Sequence, residues 1–183
     1  MKYETYAWIG LTGIILSILG SLIGNVSPLL FGFFILLSTV ASLIFRWAFI
    51  KISKKTKNTT LLVGTFSLLV LNILSFLFYL YFLFLPFQGK FPTEFNAMQM
   101  MFVSMMFFFI IAFIIIGSFL IVTGIGYLGL KKFGGLATAT GVLHIITGAL
   151  FITFILAFLG LFTALAAWIL EVIILFKADK LIK

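Results

Sequence analysis

The chain has 183 residues, 64% of them hydrophobic and 9% charged, with a mean hydropathy of +1.36 and a formal net charge of +8. A soluble domain carries nearer a quarter of its residues as charges, and one of this size cannot hide so much apolar surface, so the composition excludes a water-soluble fold and points to a single transmembrane domain over residues 1–183. Cysteine is absent, which excludes disulfides, thiolate metal sites and thiol catalysis, and the lysines sit in short loops between apolar runs, where they set topology and meet anionic lipid headgroups, with no nucleic acid implied.

A helix needs ~20 apolar residues to cross a ~30 Å hydrocarbon core, and on that measure the sequence predicts an all-α integral membrane protein, a bundle of about six transmembrane helices. The N-terminal MKYETYAWIG has one lysine offset by Glu4, and no small-residue cleavage site follows, so a retained helix is expected over about 6–23. GNVSP (24–28) turns the chain, and Pro28 suits a first helical turn, where its missing N–H is spare. The NVS at 25–27 matches a glycosylation sequon, but Pro28 follows and the loop hugs the membrane, so it is expected to stay unmodified. The second span is expected over about 29–49, followed by the polar loop KISKKTKNTT (51–60). The third covers about 61–85 and stops at Pro86; its outer end, FYLYFLFLPF (78–87), carries two tyrosines suited to the interfacial belt. After FQGKFPTEFN (87–96), the fourth covers about 98–130, which exceeds one crossing, so the helix must tilt, protrude or bend near Gly117 or Gly124. KKFGG (131–135) follows. Residues 137–176 hold one very long helix or two short ones; two, over 137–157 and 161–176 with the break near Gly160, fit the bilayer better.

Charge placement supports the count. With six spans and the N-terminus inside, Lys2, Arg46, Lys51, Lys54, Lys55, Lys57, Lys131, Lys132, Lys177, Lys180 and Lys183 share one side, and only Lys90 lies on the other. This positive-inside bias places both termini in the cytoplasm of a multi-pass cell-membrane protein. Five spans would send Lys177, Lys180 and Lys183 outward.

Laying TGIILSILGSLIG (12–24) on TGVLHIITGALFI (140–152) aligns Gly13 with Gly141 and Gly20 with Gly148. The same ungapped register puts Gly32 on Gly160, Phe34 on Phe162 and Leu37 on Leu165, as expected for a parallel repeat of the first and last hairpins. Gly13, Ser17, Gly20 and Gly24 recur on one helical face, and Gly117, Gly124, Gly141 and Gly148 continue the theme. Small residues let backbones approach closely in lipid, so these positions are expected to pack helices within the chain, with homo-oligomerisation or a membrane partner as the other use.

Three ionisable residues inside spans stand out, because a membrane-buried charge is costly and usually partnered. Glu171 sits in AAWILEVIILFK (166–177), ~9 Å deeper along its helix than Lys177. The repeat register lays Glu171 over Leu43, one turn from Arg46, and His144 lies about two turns into the fifth span, so the three are expected to form a polar cluster in the inner half of the bilayer. A locking cluster and a proton-titrating site are both consistent with that pattern. A metal site is disfavoured, since one His and one Glu are too few ligands. Asn72, midway through the third span, is expected to be an interhelical hydrogen-bond donor.

Hydrolase, zinc-protease and P-loop motifs are absent, so no catalytic, cofactor-binding or metal residue is assigned. KISKKTKN (51–58) and LATATGVLHIITGALFITFILAFLGLFTALAAWILEVIILFK (136–177) resemble a family of small, mostly archaeal integral membrane proteins catalogued as a domain of unknown function. The Phe-rich 76–110 departs from that resemblance. It implies a multi-span helical fold and no assigned activity. The expected role is a non-enzymatic structural or accessory membrane component. A small transporter or channel with an inner-leaflet titrating site is the alternative, and a membrane-embedded enzyme a third.

Overall fold

The computed structural model of the protein describes residues 2–23, 28–84 and 95–182. Among them it is all helical: α1 (Tyr3–Ile23), α2 (Pro28–Lys55), α3 (Thr59–Phe84), α4 (Phe95–Leu128), α5 (Gly135–Ile152) and α6 (Ala157–Leu181), with a single 3-10 turn at Lys131–Phe133. All six helices are long and apolar enough to cross a membrane. Many large apolar side chains point outward, Ile155 at 88% and Phe158 at 68% exposure among them. Such a surface is stable only against lipid.

Each helix packs against its chain neighbours, and α1 closes the ring against α6. One end of this ring is tied together by polar contacts between distant segments. The Glu4 backbone N–H donates to the Asp179 carboxylate at 3.1 Å. The Lys55 ammonium donates to the Ile182 carbonyl at 3.0 Å, and that of Lys51 to the Tyr6 hydroxyl at 2.8 Å. The N-terminal turn, the α2–α3 loop and the C-terminal turn therefore share one end. The larger apolar core, including Phe45, Phe49, Tyr127 and Leu175, sits toward it, while a smaller cluster of Leu68, Leu120 and Phe151 lies elsewhere along the bundle.

α2 begins at Pro28, and it runs on through the KISKK segment, past the 49 expected from hydropathy. Its extra turns carry lysines that favour a helix C-terminus. α3 starts at Thr59, where the Asn58 side chain caps the Leu61 N–H at 2.9 Å. α4 passes Gly117 and Gly124 as one unbroken helix of 34 residues. At ~1.5 Å per residue it outreaches the hydrocarbon core, so tilt or protrusion accommodates it.

The α5–α6 break falls at 153–156, before Gly160, which lies within α6. Phe154 makes the turn with φ 51°, a left-handed conformation costing a non-glycine residue roughly 1–2 kcal/mol. Thr153 caps α5 through its hydroxyl to the Leu150 carbonyl at 2.8 Å. Gly160 serves close approach instead: a Cβ there would stand 2.5 Å from the Phe151 ring.

The glycines aligned between the first and last hairpins meet different neighbours. Gly13 faces Ala41, and Gly20 faces Phe34, both within the first hairpin. Gly141 and Gly148 turn away from α6 toward α4, where each meets a glycine. A Cβ on Gly124 would stand 2.6 Å from the Gly141 carbonyl oxygen, and one on Gly117 as close to that of Gly148. A shared sequence register thus does not carry a shared packing register, because a glycine permits close approach without naming the partner. Gly64 and Gly126 provide the same service between α3 and α4, against Thr123 and Leu61. Gly24, the 25–27 sequon, the 87–94 stretch with Lys90, Pro86, the tyrosines of 78–87 and Lys183 lie outside the described residues or side chains.

Candidate functional site

Four helices bring their polar residues together inside the ring. Arg46 comes from α2, Tyr127 from α4, His144 from α5 and Glu171 from α6. Arg46 Nη1 donates to Glu171 Oε1 at 2.8 Å. The Tyr127 hydroxyl donates to the same oxygen at 2.7 Å, and His144 Nε2 lies 3.1 Å from it. Glu171 is fully buried, as is Tyr127, while the Arg46 side chain retains 14% exposure.

The local sequence explains why these side chains converge. α6 around Glu171 is buried at Ala167, Val172, Ile174 and Leu175, while Ile169 and Ile173 on the other side are exposed, so Glu171 lies on the protein-facing side of the helix. α5 presents Ala137, Thr140, Gly141, His144, Thr147 and Gly148 inward at three- and four-residue spacing. The hydroxyls on that stripe satisfy themselves locally: Thr140 donates to the Leu136 carbonyl at 2.8 Å and Thr147 to that of Leu143 at 2.7 Å. His144 is therefore the one ionisable group on the face.

The proton inventory follows from the acceptors around His144. Its Nδ1 lies 3.0 Å from the Thr140 carbonyl, which only accepts, so Nδ1 carries a proton in that hydrogen bond. Its Nε2 faces a carboxyl oxygen. Both contacts are hydrogen bonds only if the ring is an imidazolium beside a carboxylate, or a neutral ring beside a carboxylic acid. Arg46 and Tyr127 also donate to Oε1, which favours the carboxylate. Oε2 is buried with no hydrogen-bond partner among the described residues, so the donors load one oxygen of the carboxyl group.

Aromatic rings enclose the cluster. Tyr127 lies 5.2 Å from the His144 ring and meets Phe49 edge-on at 5.5 Å, while Phe45 packs edge-on against Phe49 at 5.4 Å. Glu171 and His144 are buried among them, which strengthens the electrostatic contacts there and makes an unpaired charge costly.

A separate polar space lies one turn away. A cavity of about 350 Å³ is lined by Ser17, Ser38, Ser42, Asn72, Ser75 and Trp168, with Ile35, Thr39 and Phe76. Asn72 donates across to the Ser42 hydroxyl at 3.1 Å, bridging α3 and α2, and Ser38 donates to the Gly13 carbonyl at 3.0 Å. Ser17, expected among the packing residues, is thus on the cavity wall. Neither Arg46 nor Glu171 lines this space. Ser42 and Trp168 stand one turn before them on α2 and α6, and the Phe45 ring packs beside Trp168 at 6.2 Å.

The residues singled out from sequence, Arg46, His144 and Glu171, meet around one oxygen. Tyr127 was not among them. A tyrosine near the end of an apolar run reads as an interfacial anchor, and the signal that it faces inward is positional: it follows Gly117 and Gly124, the face that meets α5. Fold and site together define a multi-pass helical membrane protein with a buried, charged node. No family model, no characterised protein and no solved structure matches the chain.

Proposed function

We propose that the chain is a non-enzymatic structural or accessory component of a multi-pass cell membrane, with both termini and the lysine-bearing loops in the cytoplasm. The observation that carries this reading is the enclosure of Glu171. It is fully buried, and it receives contacts from three other helices through Arg46, Tyr127 and His144. A carboxylate held in that way locks helix positions and has no open path to a substrate. The orientation is supported by the gathering of lysines on the loops of one end. The lipid-facing apolar surface leaves room for a membrane partner or a second copy of the chain. The likeness of residues 51–58 and 136–177 to an archaeal family of unknown function remains a proposal of kinship that rests on those residues.

One observation favours the alternative of a small transporter or channel. The Ser- and Asn-lined cavity is large enough for several waters and ends one turn short of the node. Ion and solute flux into proteoliposomes separates the readings. Equal, negligible flux for the wild type and Glu171→Gln is expected. A wild-type flux that Glu171→Gln abolishes would overturn the structural role. An enzyme would need the Glu171–His144 pair to border a lipid-accessible cleft, and both residues are buried.

A further inference from the structure

At the tied end of the bundle the α2–α3 loop and the α4–α5 loop border a pocket of about 300 Å³. Four lysines line it: Lys55 and Lys57 from one side, Lys131 and Lys132 from the other. All four are exposed, and no carboxylate is among the described lining residues. Leu130, Phe133 and Ile182 are buried and form an apolar base beneath the ammonium groups.

The two loops are fixed with respect to each other. The Asn58 side chain caps α3 and also donates to the Gly126 carbonyl of α4 at 2.7 Å. Gly129 leaves the space that the Asn58 amide occupies, since a Cβ there would stand 2.8 Å from Nδ2. The Lys55 ammonium is held by the Ile182 carbonyl at 3.0 Å, which fixes one corner of the pocket. This is a built concavity and not a set of free lysine tails.

Lys57 adds an independent observation. α2 ends with the Asn58 N–H bonded to the Ser53 carbonyl at 2.9 Å, which places Lys57 at the position after the helix with φ 54°. Glycine is the low-strain residue in that left-handed conformation, and a lysine there is strained. Backbone strain retained at a functional surface is a common pattern. Here the strained residue is also one of the four charges facing the pocket.

Four positive charges around one space repel one another unless an anion sits between them. Lysine is a compact point charge with three donors, suited to the oxygens of a phosphate group. Basic pockets between helices at a membrane surface recognise phosphate-bearing headgroups in this way. We propose that the pocket formed by Lys55, Lys57, Lys131 and Lys132 binds a phosphate-bearing anion, a lipid headgroup or free phosphate. The site does not depend on the structural role proposed above.

The test is native mass spectrometry of the full chain in detergent, titrated with phosphatidic acid and, in a second arm, with phosphatidylcholine. Phosphatidic acid should bind the wild type more tightly. Lys57→Gly removes a charge and relieves the left-handed backbone, so it should unfold no earlier than the wild type yet bind about fivefold more weakly. Lys131→Gln/Lys132→Gln should bind roughly 25-fold more weakly, on the order of fivefold per lysine. Lys180→Gln, exposed but outside the pocket, should bind as the wild type does. Displacement by millimolar inorganic phosphate would identify free phosphate as an occupant, and failure to displace would identify the lipid headgroup. An equal loss in Lys180→Gln, or unchanged binding in Lys57→Gly and the double variant, would overturn the pocket.

Discussion

Two polar regions sit one helical turn apart in this bundle and solve the problem of the membrane interior differently. The node around Glu171 holds charged groups, is buried and gives the carboxylate three protein partners. The cavity beside it has hydroxyls, an amide and an indole as its polar groups, alongside Ile35 and Phe76, and a volume of about 350 Å³. The difference follows from the cost of desolvation. An ionised group away from water is tolerated only when a counter-charge and further hydrogen bonds meet it directly. A serine or threonine returns its proton to its own helix, as Thr39 does to the Ile35 carbonyl at 2.8 Å, and can then border open space at little cost. Packing around the node is therefore unforgiving, and packing around the cavity is permissive.

The comparison breaks most sharply at Arg46. Arg46→Leu leaves the carboxylate buried without its cation, and a loss of about 3–5 kcal/mol is expected in reversible unfolding from mixed micelles. An unchanged stability would mean that Glu171 is neutral or solvated. Next in size is the α4–α5 crossing that carries Tyr127 and His144 to the node. Gly124→Leu drives a side chain into the Gly141 backbone, and about 1–3 kcal/mol should be lost in the same assay. Tyr127→Phe removes one donor and leaves the other two, so about 1–2 kcal/mol is expected. Asn72→Ala sharpens the contrast from the other side. It deletes the bridge to Ser42 at the cavity wall, and its cost should stay below about 1 kcal/mol.

Much of this architecture is legible in the sequence. Composition and punctuation give six apolar helices, and the even number of chain crossings between the tied segments matches the sharing of one end by Glu4, Lys55 and Ile182. Arg46, His144 and Glu171 stand out because ionisable residues in apolar runs are rare enough to read singly. Tyr127 does not, since a phenol is equally at home in an interface. The α5–α6 turn is hidden for a related reason. It is built from Thr-Phe-Ile-Leu, with no glycine or proline, and Phe154 takes the left-handed conformation that turn residues ordinarily signal. Gly160 drew the break toward itself because a glycine marks either a turn or a close approach, and only the position of the Phe151 ring decides which. The aligned glycines of α1 and α5 show the same ambiguity one level up, in which neighbour they admit.

The most direct test of the locked node is a double-mutant cycle on stability with Arg46→Leu, Glu171→Leu and the pair. The buried ion pair predicts that the double variant is more stable than Arg46→Leu alone, with a coupling of at least about 2 kcal/mol. Additive losses from the two substitutions would contradict it.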